Sequence, residues 1–201
     1  MGLAWEQKGD EQQAIENLQR AIELKPDYAE AHNSLGSLLW KQGNASAALE
    51  EFGRALALAP DFAEAHYNRG LAAARTGELK RGIEELREAI GLKPDYFEAR
   101  LNLALAYEQA GDLGAAIRED REAVKLRPGS GEAHNNLGLL ILQEGELKQA
   151  EREFREALRL NPAYGEAHYN LGLTLKQRGE VDAASEEFAR AHQLNPALPP
   201  P

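Results

Sequence analysis

Four histidines stand at a regular spacing that could assemble a metal site. His32, His66, His134 and His168 are separated by 34 or 68 residues. Zinc needs its ligand nitrogens within about 2 Å of one centre. Residues that recur at such an interval lie on successive structural units, whose equivalent helices pack no closer than about 8–10 Å. We therefore expect these histidines to pack inside their own units, and we expect no metal site.

Nucleophilic chemistry has equally little to draw on. The chain has no cysteine, and none of its seven serines and threonines lies in a G-x-S-x-G or phosphate-loop sequence. The absence of cysteine also removes disulfides and thiolate metal ligands. The sequence therefore predicts a protein that is not an enzyme and that needs no cofactor.

The elements that carry these residues repeat every 34 positions. The interval is marked by Pro26, Pro60, Pro94, Pro128, Pro162 and Pro196, and by Gly9, Gly43, Gly77, Gly111, Gly145 and Gly179. Before each glycine the apolar residues are spaced by three and four, which is the helical period. The glycine suits a left-handed turn, and the proline cannot continue the second helix. Each unit is therefore predicted to be two antiparallel helices, with about eleven helices in all.

The last unit carries the residues of a known repeat pattern: His168, Leu171, Gly172, Leu175, Ala184, Phe188 and Pro196. This order resembles the tetratricopeptide repeat, W-x2-L-G-x2-Y, then A-x3-F, then P, with histidine in the Trp place. The resemblance implies an all-α α-solenoid, a right-handed superhelix of about five and a half antiparallel helix pairs. We expect the His place of the first helix to face the Phe place of the second.

These markers predict one array of repeats rather than separate globular domains. The predicted units are 1–28 (partial), 29–62, 63–96, 97–130, 131–164 and 165–198, and residues 199–201 are predicted to form a disordered tail. In such an array each unit contacts mainly its neighbours.

The first helices carry an unusual face on the side turned away from their second helices. At 100° per residue, the second, fifth, sixth and ninth places of each repeat cluster there. They include Glu64, Glu98, Glu132, Tyr67, Tyr169, Asn68, Asn102, Asn136, Asn170, Leu71, Leu105, Leu139 and Leu173. Because a face turned from its own core is normally charged, the rows of asparagine and leucine predict a concave groove that binds an extended peptide.

Each row also has a structural interpretation. Leucine could be half-buried against neighbouring helices, and glutamate in a first turn stabilises the helix dipole. The asparagines could bond a backbone group of the adjacent unit, and so hold the superhelix together, instead of binding a partner.

Charge restricts the class of partner. The formal net charge of −10 disfavours nucleic acid and favours a neutral or basic protein or peptide. Repeat proteins that clamp the acidic tails of heat-shock chaperones resemble this chain in fold, but they use basic groove residues where this chain has glutamate. No apolar run is long enough for a membrane span, and Met1 opens no secretory leader, so we expect no membrane association and a cytoplasmic location unless an upstream signal exists.

The sequence favours a non-catalytic scaffold for protein–protein interaction, in which a peptide or a helix occupies the groove. The asparagine row is similar to the ladder in the repeat domain of O-GlcNAc transferases, although Ser34 interrupts it. That similarity implies an alternative, in which the chain recruits substrates for a larger glycosyltransferase. A further alternative is self-association through terminal repeats that lack a polar capping helix.

Overall fold

The computed structural model describes residues 2–199, with side chains described from residue 11 onward. Over this range the chain forms eleven α-helices and no strand. They are α1 (Gly2–Leu24), α2 (Ala29–Lys41), α3 (Ala45–Leu58), α4 (Ala63–Arg75), α5 (Leu79–Leu92), α6 (Phe97–Gln109), α7 (Leu113–Leu126), α8 (Gly131–Gln143), α9 (Leu147–Leu160), α10 (Gly165–Gln177) and α11 (Val181–Leu194). The all-α prediction is confirmed. In the predicted tail Pro199 has no regular structure, and positions 200 and 201 lie outside the described residues.

Glycine ends the first helix of each complete repeat, as the spacing predicts. Gly43, Gly77, Gly111, Gly145 and Gly179 have φ values between 80° and 93°. This left-handed conformation costs glycine little, because it has no Cβ. Gly9 behaves differently, since α1 continues through it and through Asp10 as one helix of 23 residues. The predicted break in the partial first repeat is therefore wrong.

The second helices begin after an acidic or amide residue, but few of these side chains cap. The Asp112 carboxylate accepts a hydrogen bond from the Ala115 backbone N–H at 2.9 Å, whereas Asn44 makes no side-chain cap. Among the first helices, α8 is capped by Ser130, whose hydroxyl accepts from the Ala133 N–H at 3.2 Å. The turn glycine, rather than the cap, is therefore the constant feature of these boundaries.

The chain divides into two compact units, one ending at Asn102 and the other beginning at Leu103. In the first unit α2 packs on α3 and α4 packs on α5, while α3 also contacts α4. Its core is built around Phe52, Ala55 and Leu56. In the second unit α8 packs on α9 and α10 on α11, around a larger core that includes Leu137, Ile141, Phe154, Leu171 and Phe188. The single array predicted over residues 1–198 stays a prediction.

Within a repeat the two helices approach closely because glycine faces phenylalanine. A Cβ built on Gly172 would lie 2.7 Å from the Phe188 ring, and Gly138 has the same relation to Phe154. The Phe place therefore faces the Gly place of its own repeat. It does not face the His place, so the predicted packing register is wrong on this point.

Candidate peptide-binding face

The asparagines of the predicted groove lie on the first helices, and three of the four bond a side chain of the preceding first helix. We call these positions the first-helix face of each unit: the second, fifth, sixth and ninth places of α2, α4 and the start of α6 in the first unit, and of the rest of α6, α8 and α10 in the second. Asn68 on α4 donates from Nδ2 to the Asn33 side-chain oxygen at 3.0 Å, with the Ser37 hydroxyl at 3.4 Å. Asn102 on α6 donates to the Tyr67 hydroxyl at 3.2 Å and to the Glu98 carbonyl at 2.8 Å. In the first unit each of these asparagines thus bonds the fifth-place side chain of the preceding first helix.

Asn170 repeats this arrangement in the second unit. Its Nδ2 donates to the Asn135 oxygen at 2.9 Å, and the side chain is only 8% exposed. The structural interpretation of the row, a bond to the adjacent repeat, therefore applies to Asn170, although the acceptor is a side chain rather than the backbone.

Asn136 is the exception in the row. It is half-buried on α8 and makes no hydrogen bond within the described part of the chain. The fifth place of the preceding repeat in sequence is Leu101, which offers no polar side-chain atom. Asn136 therefore keeps its full capacity for hydrogen bonding, which is two N–H donors and an acceptor oxygen.

The leucine row is divided between exposure and packing. Leu105 is 47% exposed, which is high for a large apolar side chain. Leu71 is half-buried, and Leu139 and Leu173 pack partly against the core of the second unit. Leu105 is thus the member of the row that offers most apolar surface to a partner.

The tyrosines and glutamates lie at the start of the first helices. The Tyr67 and Tyr96 rings contact each other with centroids 4.9 Å apart, and Tyr169 packs 5.4 Å from Phe188. Glu64 and Glu132 are exposed, and Glu98 is half-buried. Burial raises the pKa of Tyr67, and the charge of Glu98 adds to the effect while Arg75 opposes it.

The same electrostatic pattern occurs at Tyr164 in the second unit. Burial raises the pKa of Tyr164, and the charges of Glu132 and Glu166 raise it further, against a hydrogen bond with Asn135. The second-place glutamates therefore give a negative potential at a tyrosine in both units.

Sequence reasoning missed the partners of the asparagines. Asn33 and Asn135 occupy the fifth place and accept the bonds described above. The available signal was the chain separation of 35 residues, which joins a sixth place to the fifth place of the preceding repeat.

Sequence profiles of one repeat family match nearly the whole chain. A profile described as TPR repeat matches residues 2–43 and 141–179. A second profile, described as tetratricopeptide repeat, matches residues 35–97 and 80–131. A third, with the same description, matches residues 165–198. The chain belongs to the tetratricopeptide repeat family. No curated protein matches the sequence.

Solved structures with the same fold cover most of this tetratricopeptide chain. YrrB, described as a TPR protein with an unusual peptide-binding site, is 22% identical, covers 91% of this chain and 94% of its own, and has a TM-score of 0.78. MamA from Desulfovibrio magneticus RS-1 is 19% identical over 86% and 97%, with a TM-score of 0.77. PilF from Pseudomonas aeruginosa is 22% identical over 98% and 90%, with a TM-score of 0.82. At these identities the likeness shows the tetratricopeptide solenoid fold alone.

The histidines occupy the Trp place of the tetratricopeptide pattern, and each forms the centre of what we call a His clasp. In the last repeat His168 Nδ1 lies 2.6 Å from a Glu187 carboxylate oxygen, and Nε2 lies 3.1 Å from the Pro162 carbonyl. His32 joins Glu51 and Pro26 in the same way, at 2.6 and 3.3 Å. The other two clasps join His66 to Glu85 and Pro60, and His134 to Glu153 and Pro128.

A clasp ties three elements of the repeat together: the first helix, the second helix and the turn before the first. The carboxylate belongs to the residue before the Phe place. Arg69, for which the sequence offers no obvious partner, forms an ion pair with the clasp carboxylate of Glu85. Among the residues whose side chains are described, no group of three or more histidine or acidic side chains could hold a metal ion. In the described range no helix is both long enough and apolar enough to cross a bilayer.

Proposed function

We propose that this protein is a non-catalytic scaffold that binds an extended peptide on the first-helix face. The observation that carries the proposal is the unused hydrogen-bonding capacity of Asn136, a half-buried side chain with no bond to the described part of the chain. A half-buried amide without a partner loses part of its hydration and gains nothing in return. A peptide main chain would satisfy both its N–H donors and its oxygen.

The other asparagines have partly used this capacity. Asn68 and Asn102 each donate hydrogen bonds from their side-chain N–H groups to neighbouring residues. The side-chain oxygen of each receives no hydrogen bond from the described residues. A peptide N–H can donate to such an oxygen without regard to the peptide's own side chain. Asn68 and Asn102 in the first unit, and Asn136 in the second, would therefore each hold main chain of a partner, and Leu105 would contribute apolar contact.

Two further facts support this class of partner. YrrB, which shares the fold, is described as having a peptide-binding site. The exposed second-place glutamates and the formal net charge of −10 favour neutral or basic segments over acidic ones.

The test begins with selection of binders from a random peptide library and calorimetry on the best of them. Asn136→Ala should change the free energy of unfolding by less than about 0.5 kcal/mol, because no internal bond is lost. Its affinity for the selected peptide should fall by more than about tenfold, which corresponds to roughly 1.4 kcal/mol. Leu105→Ala should likewise weaken binding without a large loss of stability.

Asn170→Ala is the matched control. It removes the donor to buried Asn135, so it should cost about 1–3 kcal/mol of stability and leave peptide affinity nearly unchanged. The proposal is wrong if no library peptide binds. It is also wrong if neither Asn136→Ala nor Leu105→Ala changes the affinity for the selected peptide.

Self-association is a second candidate, favoured by the outer side of α11. A cavity of about 430 Å³ lies there, lined by Lys176, Val181, Ala184, Ser185, Phe188, Ala189 and His192. Val181 is 62% exposed. Sedimentation of the wild type and of Val181→Glu tests this candidate, because a dimer through α11 should dissociate in the variant.

The alternative role as the substrate-recruiting part of a larger enzyme stays a proposal. Its support is the asparagine row, and the open reading frame that encodes the chain would test it directly.

A further inference from the structure

Four side chains of the first unit form a compact group that the asparagine row does not explain. Tyr67 on α4 and Tyr96 in the turn before α6 contact each other at 4.9 Å with a 37° angle between their planes. Lys93 Nζ lies 4.7 Å from the centroid of the Tyr96 ring and 3.9 Å from a Glu64 carboxylate oxygen. We call Glu64, Tyr67, Lys93 and Tyr96 the tyrosine cluster.

The lysine shows what kind of group the cluster accommodates. An ammonium is placed over an aromatic face, where the quadrupole of the ring attracts a cation. The same four-residue sequence, Lys-Pro-Asp-Tyr, occurs at residues 25–28, and Lys25 also lies over the Tyr28 ring, at 4.9 Å. The turn sequence alone therefore places a lysine over its tyrosine. Among the side chains that the structure describes, a second ring and a carboxylate complete the surroundings of the cation only at residues 93–96.

Electrostatics around the second tyrosine agree with this geometry. Burial raises the pKa of Tyr96 to about 12, and Tyr67, Glu64 and Glu98 add to the shift. The negative potential that disfavours a tyrosinate there also favours a cation.

The internal cation is held weakly. The Lys93 and Glu64 side chains are 45% and 50% exposed, and their single contact is long for a charge-assisted hydrogen bond. Exposed ion pairs of this kind contribute little to stability. A stronger cationic ligand can therefore displace the Lys93 side chain into solvent at small cost.

We propose that the tyrosine cluster binds an arginine side chain of the partner, which takes the place of the Lys93 ammonium against Tyr96 and pairs with Glu64. This inference rests on the proposed function, and it names a residue type that the partner must carry. Guanidinium suits the cluster better than ammonium, because it is planar, stacks on aromatic rings and binds a carboxylate through two parallel N–H groups. Asn102, which donates to the Tyr67 hydroxyl, links the cluster to the asparagine row.

The sharpest test removes the internal competitor. The probe is a dye-labelled peptide of alternating glycine and arginine, and its twin contains the neutral isostere citrulline in place of arginine. Lys93→Met should raise the affinity for the arginine peptide by about threefold, which is the size of an exposed cation–aromatic contact. Lys25→Met is the matched control, since it removes the same charge from the same turn sequence. It should raise the affinity by much less.

Two further variants test the groups that would hold the guanidinium. Tyr96→Leu and Glu64→Gln should each lower the affinity for the arginine peptide by about threefold or more. The citrulline peptide should bind weakly to every variant. If Lys93→Met and Lys25→Met raise the affinity equally, the change in net charge alone explains the result and the inference is wrong. Equal binding of the two peptides, or no binding of the arginine peptide, would also overturn the inference.

Failure here is distinguishable from failure of the proposed function. If Asn136→Ala weakens binding of the library peptide but Lys93→Met leaves the affinity for the arginine peptide unchanged, only the proposal for the tyrosine cluster is refuted. A response of the arginine peptide to Lys93 and Tyr96, with no library peptide that depends on Asn136, would refute the asparagine row and retain the cluster.

Discussion

Asp120 illustrates how a single residue can contradict the rest of a repetitive sequence. It stands in the Phe place of its repeat, where the other complete repeats have Phe52, Leu86, Phe154 and Phe188. It is 2% exposed, and its Oδ1 atom has no hydrogen-bond partner among the described residues. Burial raises the pKa of Asp120 to about 8, and the charges of Glu108, Glu119 and Glu132 add to the effect.

Replacement of Asp120 should change how stability depends on pH. Because the pKa in the folded state lies above the ordinary value of 3.8, the folded protein holds this proton more tightly than the unfolded chain. The stability contributed by protonated Asp120 is therefore present below about pH 4 and is lost as the pH rises towards about 8. Asp120→Asn cannot ionise, so its advantage over the wild type should grow to something on the order of 4 kcal/mol at pH 7.

Denaturant titrations over a pH series measure this difference. Asp61→Asn, at an exposed position, serves as the control for the loss of one carboxylate. Parallel profiles for the wild type and Asp120→Asn would show that Asp120 does not titrate in this way.

At the scale of the element, identical residues have opposite roles according to what they face. Gly172 on α10 lies against the Phe188 ring, whereas Gly53 in the middle of α3 has nothing within 4 Å of the position of an added Cβ. Gly53→Ala should stabilise the protein by about 0.5–1 kcal/mol, because alanine loses less backbone entropy in a helix. Gly172→Ala should destabilise it by about 1–3 kcal/mol through overpacking.

Thermal unfolding of the two alanine variants measures both changes against the wild type. A similar effect of the two substitutions would show that helix propensity alone decides, without the contact between glycine and phenylalanine.

The His clasps provide a second prediction about how helices are joined. His168→Leu removes the ring contacts to the Glu187 carboxylate and the Pro162 carbonyl, so it should cost about 2–3 kcal/mol. His192→Leu on α11 is the control, because within the part of the chain that the structure describes His192 bonds only the Phe188 carbonyl of its own helix. Equal losses for the two variants in urea unfolding would deny the clasp any role between helices.

The limits of sequence-based reasoning are clearest at this scale. The turn glycines and the prolines predicted where helices end, because each acts through its own backbone conformation. The pairing of His168 with Glu187 depends on the rotation of one helix against the other. The residue that His168 contacts, Glu187, lies one position before the Phe place that was predicted to face the His place. The helix break predicted at Gly9 is wrong for a related reason, since a glycine permits a turn but does not require one.

At the scale of the whole molecule, charge should decide between classes of partner. The formal net charge is −10, and second-place glutamates recur along the first helices. A basic peptide should therefore bind more weakly as salt rises, since the screening length falls from about 8 Å at physiological ionic strength to about 3 Å at 1 M. An acidic peptide of equal length should show no micromolar binding in calorimetry. Micromolar affinity for the acidic peptide, or salt-independent binding of the basic one, would contradict this expectation.

The candidate site was only partly predictable from the sequence. Period and helix geometry placed Asn68, Asn102, Asn136 and Asn170 on one face, yet they could not reveal which of these amides already had partners. That depended on the fifth-place residue of the preceding repeat, which is polar at Asn33, Tyr67 and Asn135 and apolar at Leu101. Helix periodicity could not predict a role for Tyr96, because this residue lies in a turn outside the helices.

The His clasp also bears on how such a chain grows or shortens by duplication. Each clasp spans from a proline to a glutamate 25 positions later, as from Pro26 through His32 to Glu51. A copy that began at Ala29 or Ala63, where the predicted units begin, would separate the histidine from its own proline carbonyl. A copy that began at Pro26 or Pro60 would carry the clasp whole. The proline is therefore the natural joint for insertion, deletion or exchange of repeats, and a repeat transplanted with that boundary should bring its own fastening with it.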